Sequence, residues 1–380
     1  MKFFHLSDLH LGKRLFEFSL LDDQSYILDR ILEAAETEQP DAVIIAGDIY
    51  DKPIPPAEAV ALFDSFLCRL SGLGTTVMVI SGNHDSPERI AFGGRLMENS
   101  GVYVSPVYGG CTSPIYINDG FGEVCFYLLP FIKPVHVRRF YPDSNIESYT
   151  DAVRTAVEGM NVDPKKRNVL VTHQFITGAS RSDSEEVSVG GTDNVDVSTV
   201  EGFDYVALGH IHSPQKIGTE TVRYCGTPLK YSFSEVNHEK SVCVVELLEK
   251  GRTDVSFIPL TPLRDLREIR GSYGELTFRE NYKDTNTDDY IHATLTDEDD
   301  IPDALSKLRA IYPNLMKLDY DNTRTRTQAI FSSPETSKKR SPIELFSELY
   351  EKQNGVPMDE VREGYIKKLI ANIFDKEDTL

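Results

Sequence analysis

An apolar run, Val77–Ile80, leads directly into Ser81, Gly82, Asn83, His84 and Asp85. The β-branched residues Val77, Val79 and Ile80 suit a fully buried strand. A glycine at position 82 lets the backbone turn and come close to a ligand. Asn83 then offers a neutral carbonyl oxygen, His84 an imidazole, and Asp85 a carboxylate able to orient that imidazole. Alone, the segment would read as a polar turn after a strand. The design recurs, however, as Asp8-x-His10 after FFHLS, Gly47-Asp48-x-x-Asp51 after AVIIA, His173 closing NVLVT, and Gly209-His210-x-His212 after YVAL. His10, His84, His173, His210 and His212, out of nine histidines in the chain, all lie at or just past the end of an apolar run.

Histidine, aspartate and asparagine without cysteine suit a divalent ion of intermediate character, such as Mn²⁺, Fe²⁺ or Zn²⁺. The motifs offer more ligands than one tetrahedral ion can take. Two ions about 3.5–4 Å apart, bridged by a carboxylate, would use them, bind a phosphoryl group and deprotonate a bridging water. A single such pair of residues in a strand is more often incidental; the recurrence at strand ends is what argues for a site.

The elements that position these groups alternate. FFHLSD reads as a first strand, and a helix runs from about Asp22 to Glu38 with Ile27, Ile31, Leu32 and Ala35 on one face. The strand AVIIA, a helix over PPAEAVALFDSFLCRLSGLG and the Val77–Ile80 strand complete a β-α-β-α-β order, which predicts parallel strands with helices outside. In an open sheet of that kind ligands collect beyond the carboxyl ends of the strands. Short strands and turns follow from Val102 to Pro130, a helix over Tyr149–Met160, strands at Asn168–His173 and Tyr205–His212, and a long polar loop at 176–198. Beyond Pro262, YIHATLTD, IPDALSKLRAIYP and LMKLDYD read as strand, helix and strand. A polar linker, 332–342, leads to two short helices with apolar stripes, Leu345, Phe346 and Leu349 in one and Ile366, Leu369, Ile370 and Ile373 in the other.

At 380 residues two or three domains are expected. The amino terminus enters site chemistry within a few residues, which leaves no room for a cleaved signal peptide. No window approaches a membrane span, and five scattered cysteines without a CxxC pair read as reduced core thiols of a cytoplasmic protein. A formal charge of −20 argues against a protein that grips nucleic acid by bulk electrostatics, though not against one whose site carries metal cations.

Taken in order, the five motifs resemble the signature of the calcineurin-like metallophosphoesterases. More narrowly, HLSDLHLGK, GDIYD, SGNHDS, THQF, YVALGHIH and YCGTPLKYSFSE resemble the DNA nucleases of that family, over about residues 1–260. The resemblance implies an α/β fold with two mixed β-sheets sandwiched by helices, in place of one open sheet, then a small α/β capping domain and a C-terminal helical pair. Its divisions are 1–262 for the nuclease domain, 263–331 for a DNA-contacting cap, 332–342 for the linker and 343–380 for a segment docking an ATPase. It places Asp8, His10 and His212 on one ion and Asn83, His173 and His210 on the other, with Asp48 bridging. His84 becomes a catalytic histidine beside the scissile phosphate, oriented by Asp85.

The family usually works with Mn²⁺. The resemblance implies a double-strand 3'-5' exonuclease and a single-strand and hairpin endonuclease, coupled to an SMC-like ATPase and serving DNA repair, recombination and replication. A homodimer within a heterotetramer is expected. The alternatives are a metallophosphoesterase for small phosphodiesters or phosphomonoesters, and a metal-site scaffold that recruits the ATPase. GDIYD lacks the Arg-Gly extension of the protein phosphatases, which counts against a phosphoprotein substrate. Lys13, Arg14 and Arg89 follow site motifs and are either DNA-phosphate contacts or ordinary solvated cations. Arg138 and Arg139 beside Phe140 and Tyr141 read as a backbone-contacting patch or an edge strand. Asp51 either supports the metal site or caps the following helix.

Overall fold

The strands that carry the motifs are apolar at nearly every position because both of their faces are covered. The computed structural model describes residues 1–183, 185, 193–323, 325, 346, 347, 350, 358, 359 and 362–366. One six-stranded sheet runs Thr253–Pro259, Ser241–Leu247, Lys2–Leu6, Ala42–Ala46, Thr76–Ile80, Val102–Val104. The last four pair in parallel, as the β-α-β-α-β order requires, while Ser241–Leu247 returns antiparallel beside Lys2–Leu6 and makes the sheet mixed. A second six-stranded sheet runs Gln215–Ile217, Thr219–Tyr224, Tyr205–Gly209, Arg167–His173, Gly122–Leu129, Ile115–Asp119, with parallel pairs at its centre and antiparallel pairs at both edges.

Alternation along each strand sorts the side chains into layers. Phe3, Ile44, Ala46, Met78 and Ile80 turn inward to meet Phe126, Val169, Val171 and Ala207 between the sheets. Phe4, Leu6, Val43, Ile45, Val77 and Val79 turn outward onto Ile27, Ile31, Phe66 and Leu70 of the helices Leu21–Glu38 and Ala57–Gly72. On the far side, Leu170, Val206 and Leu208 pack with Ala152, Val153 and Ala156 of the helix Tyr149–Glu158. The architecture is thus two mixed sheets between helices.

A three-stranded sheet, Leu266–Gly271, Tyr290–Leu295, Leu315–Tyr320, accompanies a helix at Ala304–Arg309. The first of these strands and the helices Tyr273–Thr277 and Arg279–Tyr282 were not legible in the sequence. By internal contacts the described residues form one compact unit within Met1–Glu268, Thr285–His292 and Leu308–Lys317, and a second within Ile269–Asp284, Ala293–Lys307 and from Leu318 onward. The expected linker 332–342, and most of the expected docking segment at 343–380, lie outside the described residues.

Two expectations are corrected. The basic-aromatic run at 136–141 is no edge strand: Pro134–Arg138 is a short helix with proline at its start, where the missing N–H costs nothing, and Val137 is its buried anchor. The cysteines are all free, but only Cys125, Cys225 and Cys243 are core residues; Cys68 and Cys111 are exposed.

Candidate metal centre

Where the strands end, the backbones come so close, between the two sheets at Gly47 and Gly209 and between neighbouring strands of one sheet at Gly82, that no side chain fits at three positions. A Cβ at Gly209 would fall 2.0 Å from the Ala46 carbonyl oxygen, one at Gly82 2.1 Å from Asp48 Oδ1, and one at Gly47 2.5 Å from His173 Nδ1. Each of these glycines immediately precedes a candidate ligand, Asp48, Asn83 or His210. Next to them the backbone is strained. Asp8, His10, Asp48 and His210 have φ of 53°, 44°, 50° and 100°, a region non-glycine residues rarely enter. Such strain persists only where the surroundings enforce it, and it clusters at functional sites. Gly82→Ala is therefore expected to destabilise the fold by about 1–3 kcal/mol, since overpacking forces the backbone to move. Because the displaced group is Asp48 itself, metal content should fall with it; urea unfolding and metal analysis measure the two effects.

The side chains converge. One oxygen or nitrogen each from Asp8, His10 and His212 lies within 4.8 Å of the others, and the same holds for His10, Asp48 and His84 and for Asp8, Asp48 and His173. His10 Nε2 faces His212 Nε2 at 3.2 Å. Asn83 Oδ1 lies 3.0 Å from His173 Nε2 and 2.9 Å from His210 Nδ1. Asp48 is common to both groups, with Oδ2 3.3 Å from His173 Nε2 and 3.8 Å from His10 Nε2. Its Oδ1 accepts the His84 backbone N–H at 2.9 Å. The His210 backbone N–H donates to both oxygens of Asp8 at 3.1 Å. All seven residues the resemblance puts on metal are thus brought to one place.

Electrostatics fit a cation. Burial would raise the Asp48 carboxyl, but His173, His10 and His84 hold it well below the usual carboxylate range. Burial works against a charge on His173, yet the carboxylates of Asp48 and Asp8 outweigh it and lift this imidazole to about 9. Burial pushes His10 well below its ordinary value and His210 down to about 3, and it raises Asp8. In this arrangement a proton on His173 balances Asp48. Divalent ions would supply the same balance while using the lone pairs that His10, His210 and Asn83 present, so the donor set fits two of them.

His84 sits at the rim, its side chain 16 % exposed, with Nε2 4.0 Å from Asp48 Oδ2. It is not oriented by Asp85. Its Nδ1 lies 3.0 Å from the Asp51 carbonyl oxygen. The Asp85 carboxylate instead accepts the backbone N–H groups of Gly82, Ile49 and Tyr50 at 2.9, 3.1 and 3.0 Å. Burial and the Asp48 charge push it up to about 7 despite those bonds. Asp85 thus ties the Gly82 turn to the strand-end carrying Asp48. Nor does Asp51 cap a helix: its carboxylate pairs with Lys13 Nζ at 2.8 Å and approaches His10 Nδ1 at 3.8 Å. Lys13 is thereby committed to an ion pair and lies over the Tyr231 ring. Arg14 is exposed and bonded to the Glu17 carbonyl, and Arg89 is exposed.

Several supporting groups went unread in the sequence. Gln24, on the buried face of the first helix, donates to the carbonyls of His10 and Leu9 and accepts the Gly12 N–H, so it grips the turn that carries the first motif. Tyr231 donates to the same Leu9 carbonyl. Glu185 accepts the His212 N–H at 2.6 Å, and Glu235 lies behind the His212 ring. A signal existed for one of them: glutamine at a position where helical periodicity calls for an apolar residue.

A metal-ready cluster at the carboxyl ends of strands from two mixed sheets defines a class. The chain belongs to the calcineurin-like phosphoesterase family, whose model matches residues 1–214. Over 384 aligned residues it is 35 % identical to the SbcD component of the nuclease SbcCD of Staphylococcus epidermidis, covering 99 % of this chain and 100 % of that protein. A second model, described as the type 5 capsule protein repressor C-terminal domain, matches residues 262–354. Among solved structures, a dimetal phosphatase from Danio rerio aligns at 10 % identity with a TM-score of 0.40, covering 68 % of this chain and 98 % of that one.

Proposed function

We propose that this protein is a two-metal DNA phosphodiesterase, the nuclease component of an ATP-driven complex of the SbcCD type. The observation that carries this reading is the convergence of Asp8, His10, Asp48, Asn83, His173, His210 and His212 in a chain similar over its whole length to such a component. Asp8, His10 and His212 would hold one ion, Asn83, His173 and His210 the other, and Asp48 would bridge. Ions so held supply charge for the phosphoryl oxygens and an activated water. The mixed imidazole, carboxylate and amide donors suit Mn²⁺. The chain's own part is to hold Asp48 ionised and to keep the strand ends rigid. It also presents His84 Nε2 at the rim, where it can give or take a proton at the reacting phosphate.

As substrates we propose double-strand ends, cut 3'-5', together with hairpins and single strands, in DNA repair, recombination and replication. Arg14 and Arg89 are exposed and would meet phosphates, and residues 263–331 would add contacts as a cap. With a net charge of −20, the partner must supply much of the attraction to DNA. Phe92 and Leu96, 84 % and 78 % exposed, are an apolar surface suited to a second copy of the chain within a heterotetramer. No helix among the described residues is long and apolar enough to cross a membrane, and a DNA substrate argues for a cytoplasmic protein. The test uses Mn²⁺ with a labelled hairpin or duplex end beside bis-p-nitrophenyl phosphate. Cleavage of the DNA is expected. Turnover of the small ester alone would point to a small-phosphodiester enzyme, and no turnover on either to a scaffold.

We assign docking of the ATPase to residues 343–380, where the sequence spacing of Ile366, Leu369, Ile370 and Ile373 would give a helix an apolar stripe suited to helix-in-groove recognition. Deleting 341–380 should leave cleavage of single strands intact while abolishing co-purification with the ATPase and any stimulation by ATP. Undiminished ATPase binding by the truncated chain would remove this assignment.

A further inference from the structure

Behind the cluster, the imidazoles are backed differently. His173 Nδ1 meets the Ala46 carbonyl at 2.8 Å and His84 Nδ1 the Asp51 carbonyl at 3.0 Å, whereas His212 Nδ1 faces a carboxylate oxygen, Glu235 Oε1, at 3.3 Å. Glu235 is wholly buried, and its other oxygen accepts from Lys240 Nζ at 2.6 Å. The same ammonium donates to the His212 backbone carbonyl at 2.9 Å and to Thr227 Oγ1 at 2.7 Å. The loop is closed: one cation grips both the carboxylate behind the ring and the backbone that carries the ring.

A buried ion pair of this kind contributes little net stability, because desolvation cancels most of the Coulombic gain. Its placement suggests a different use. Lys240 immediately precedes the strand Ser241–Leu247, which pairs with Lys2–Leu6, the strand that runs into Asp8 and His10. His212 comes from the other sheet, just beyond Tyr205–Gly209. The pair therefore ties the ligand contributed by one sheet to the two contributed by the other. A carboxylate behind a ligating histidine also fixes the tautomer, since it accepts only from Nδ1–H, and leaves the Nε2 lone pair directed at the site.

We propose that Glu235, anchored by Lys240, is a positioning residue that holds His212 as an Nε2 ligand and sets the affinity of the Asp8, His10 and His212 metal position separately from the other. The proposal rests on the two-ion reading given above. Full-length protein would be titrated with Mn²⁺, following bound metal by equilibrium dialysis and spin coupling between the ions by electron paramagnetic resonance. Wild type is expected to bind two ions and show a coupled spectrum. In Glu235→Gln one position should weaken about 10–100-fold while the other is unchanged. At limiting Mn²⁺ the variant should then hold one ion and give an uncoupled spectrum.

Glutamine leaves Lys240 buried without its counter-charge, so Glu235→Gln/Lys240→Met, which removes both charges, is measured beside it. Wild-type affinity at both positions in either folded variant overturns the proposal. So does failure of both variants to fold, which would make the pair a part of the core. A wild-type protein that binds only one ion overturns the two-ion reading itself, and is distinguished by needing no variant.

Discussion

Asp48→Ala is expected to leave a folded protein that binds at most one ion and hydrolyses phosphodiesters at least about 10³-fold more slowly. The size follows from losing about 4 kcal/mol of charge stabilisation that a paired metal site provides at the transition state. Asp48 is the group common to both halves of the cluster, reaching His173 on one side and His10 on the other. A terminal ligand belongs to one half, so His212→Ala should keep one ion and more residual activity. Because Asp48 is buried among imidazoles, its loss also removes the main charge that raises the His173 imidazole against its burial. Metal analysis with steady-state rates on a single-stranded substrate decides the matter. Two bound ions and a near-normal rate in Asp48→Ala would rule out the dinuclear assignment.

His84→Gln should behave in the opposite way, keeping both ions and DNA affinity while losing roughly 10²–10⁴ in turnover, the usual contribution of a positioned proton-transfer group. The ring is held by the Asp51 carbonyl and stacks edge-on to His10 at 4.8 Å, so Nε2 is aimed without being anchored. Glutamine keeps a polar group of similar length there but cannot shuttle a proton. One geometry could defeat the prediction, since His84 also lies with His10 and Asp48 in a triad compact enough for an ion. Loss of an ion from His84→Gln would make His84 a ligand. By contrast, Asp85→Asn should act through the backbone, loosening the Gly82 turn that its carboxylate holds, and should lower stability before it lowers turnover.

What could be read from the sequence was local. An apolar strand that stops at a histidine, aspartate or asparagine needs no knowledge of its neighbours, so residue type and position alone put Asp8, His10, Asp48, Asn83, His173, His210 and His212 among the candidates, and the family resemblance set them apart from Asp51, His84 and Asp85 as ligands. The parallel order of the first strands was legible for the same reason, as their helices lie between them in the chain. Asp85 was misread because adjacency in sequence is not adjacency in space. Consecutive side chains in an extended turn diverge, and Asp85 turns inward to three backbone amides while His84 faces the site. The choice between the two roles open to Asp51 needed the structure because its partners, Lys13 and His10, come from another strand-end. Gln24 reaches the His10 turn only because its helix packs on the first sheet, and Lys240, at the start of a strand of that sheet, meets His212 and Glu235 only where the second sheet lies against it. The tertiary arrangement of the strands also decided which glycines were indispensable. The carbonyl of Ala46, the carboxylate of Asp48 and the ring of His173 occupy the space a side chain would need, and each of these atoms is set by a strand other than the glycine's own.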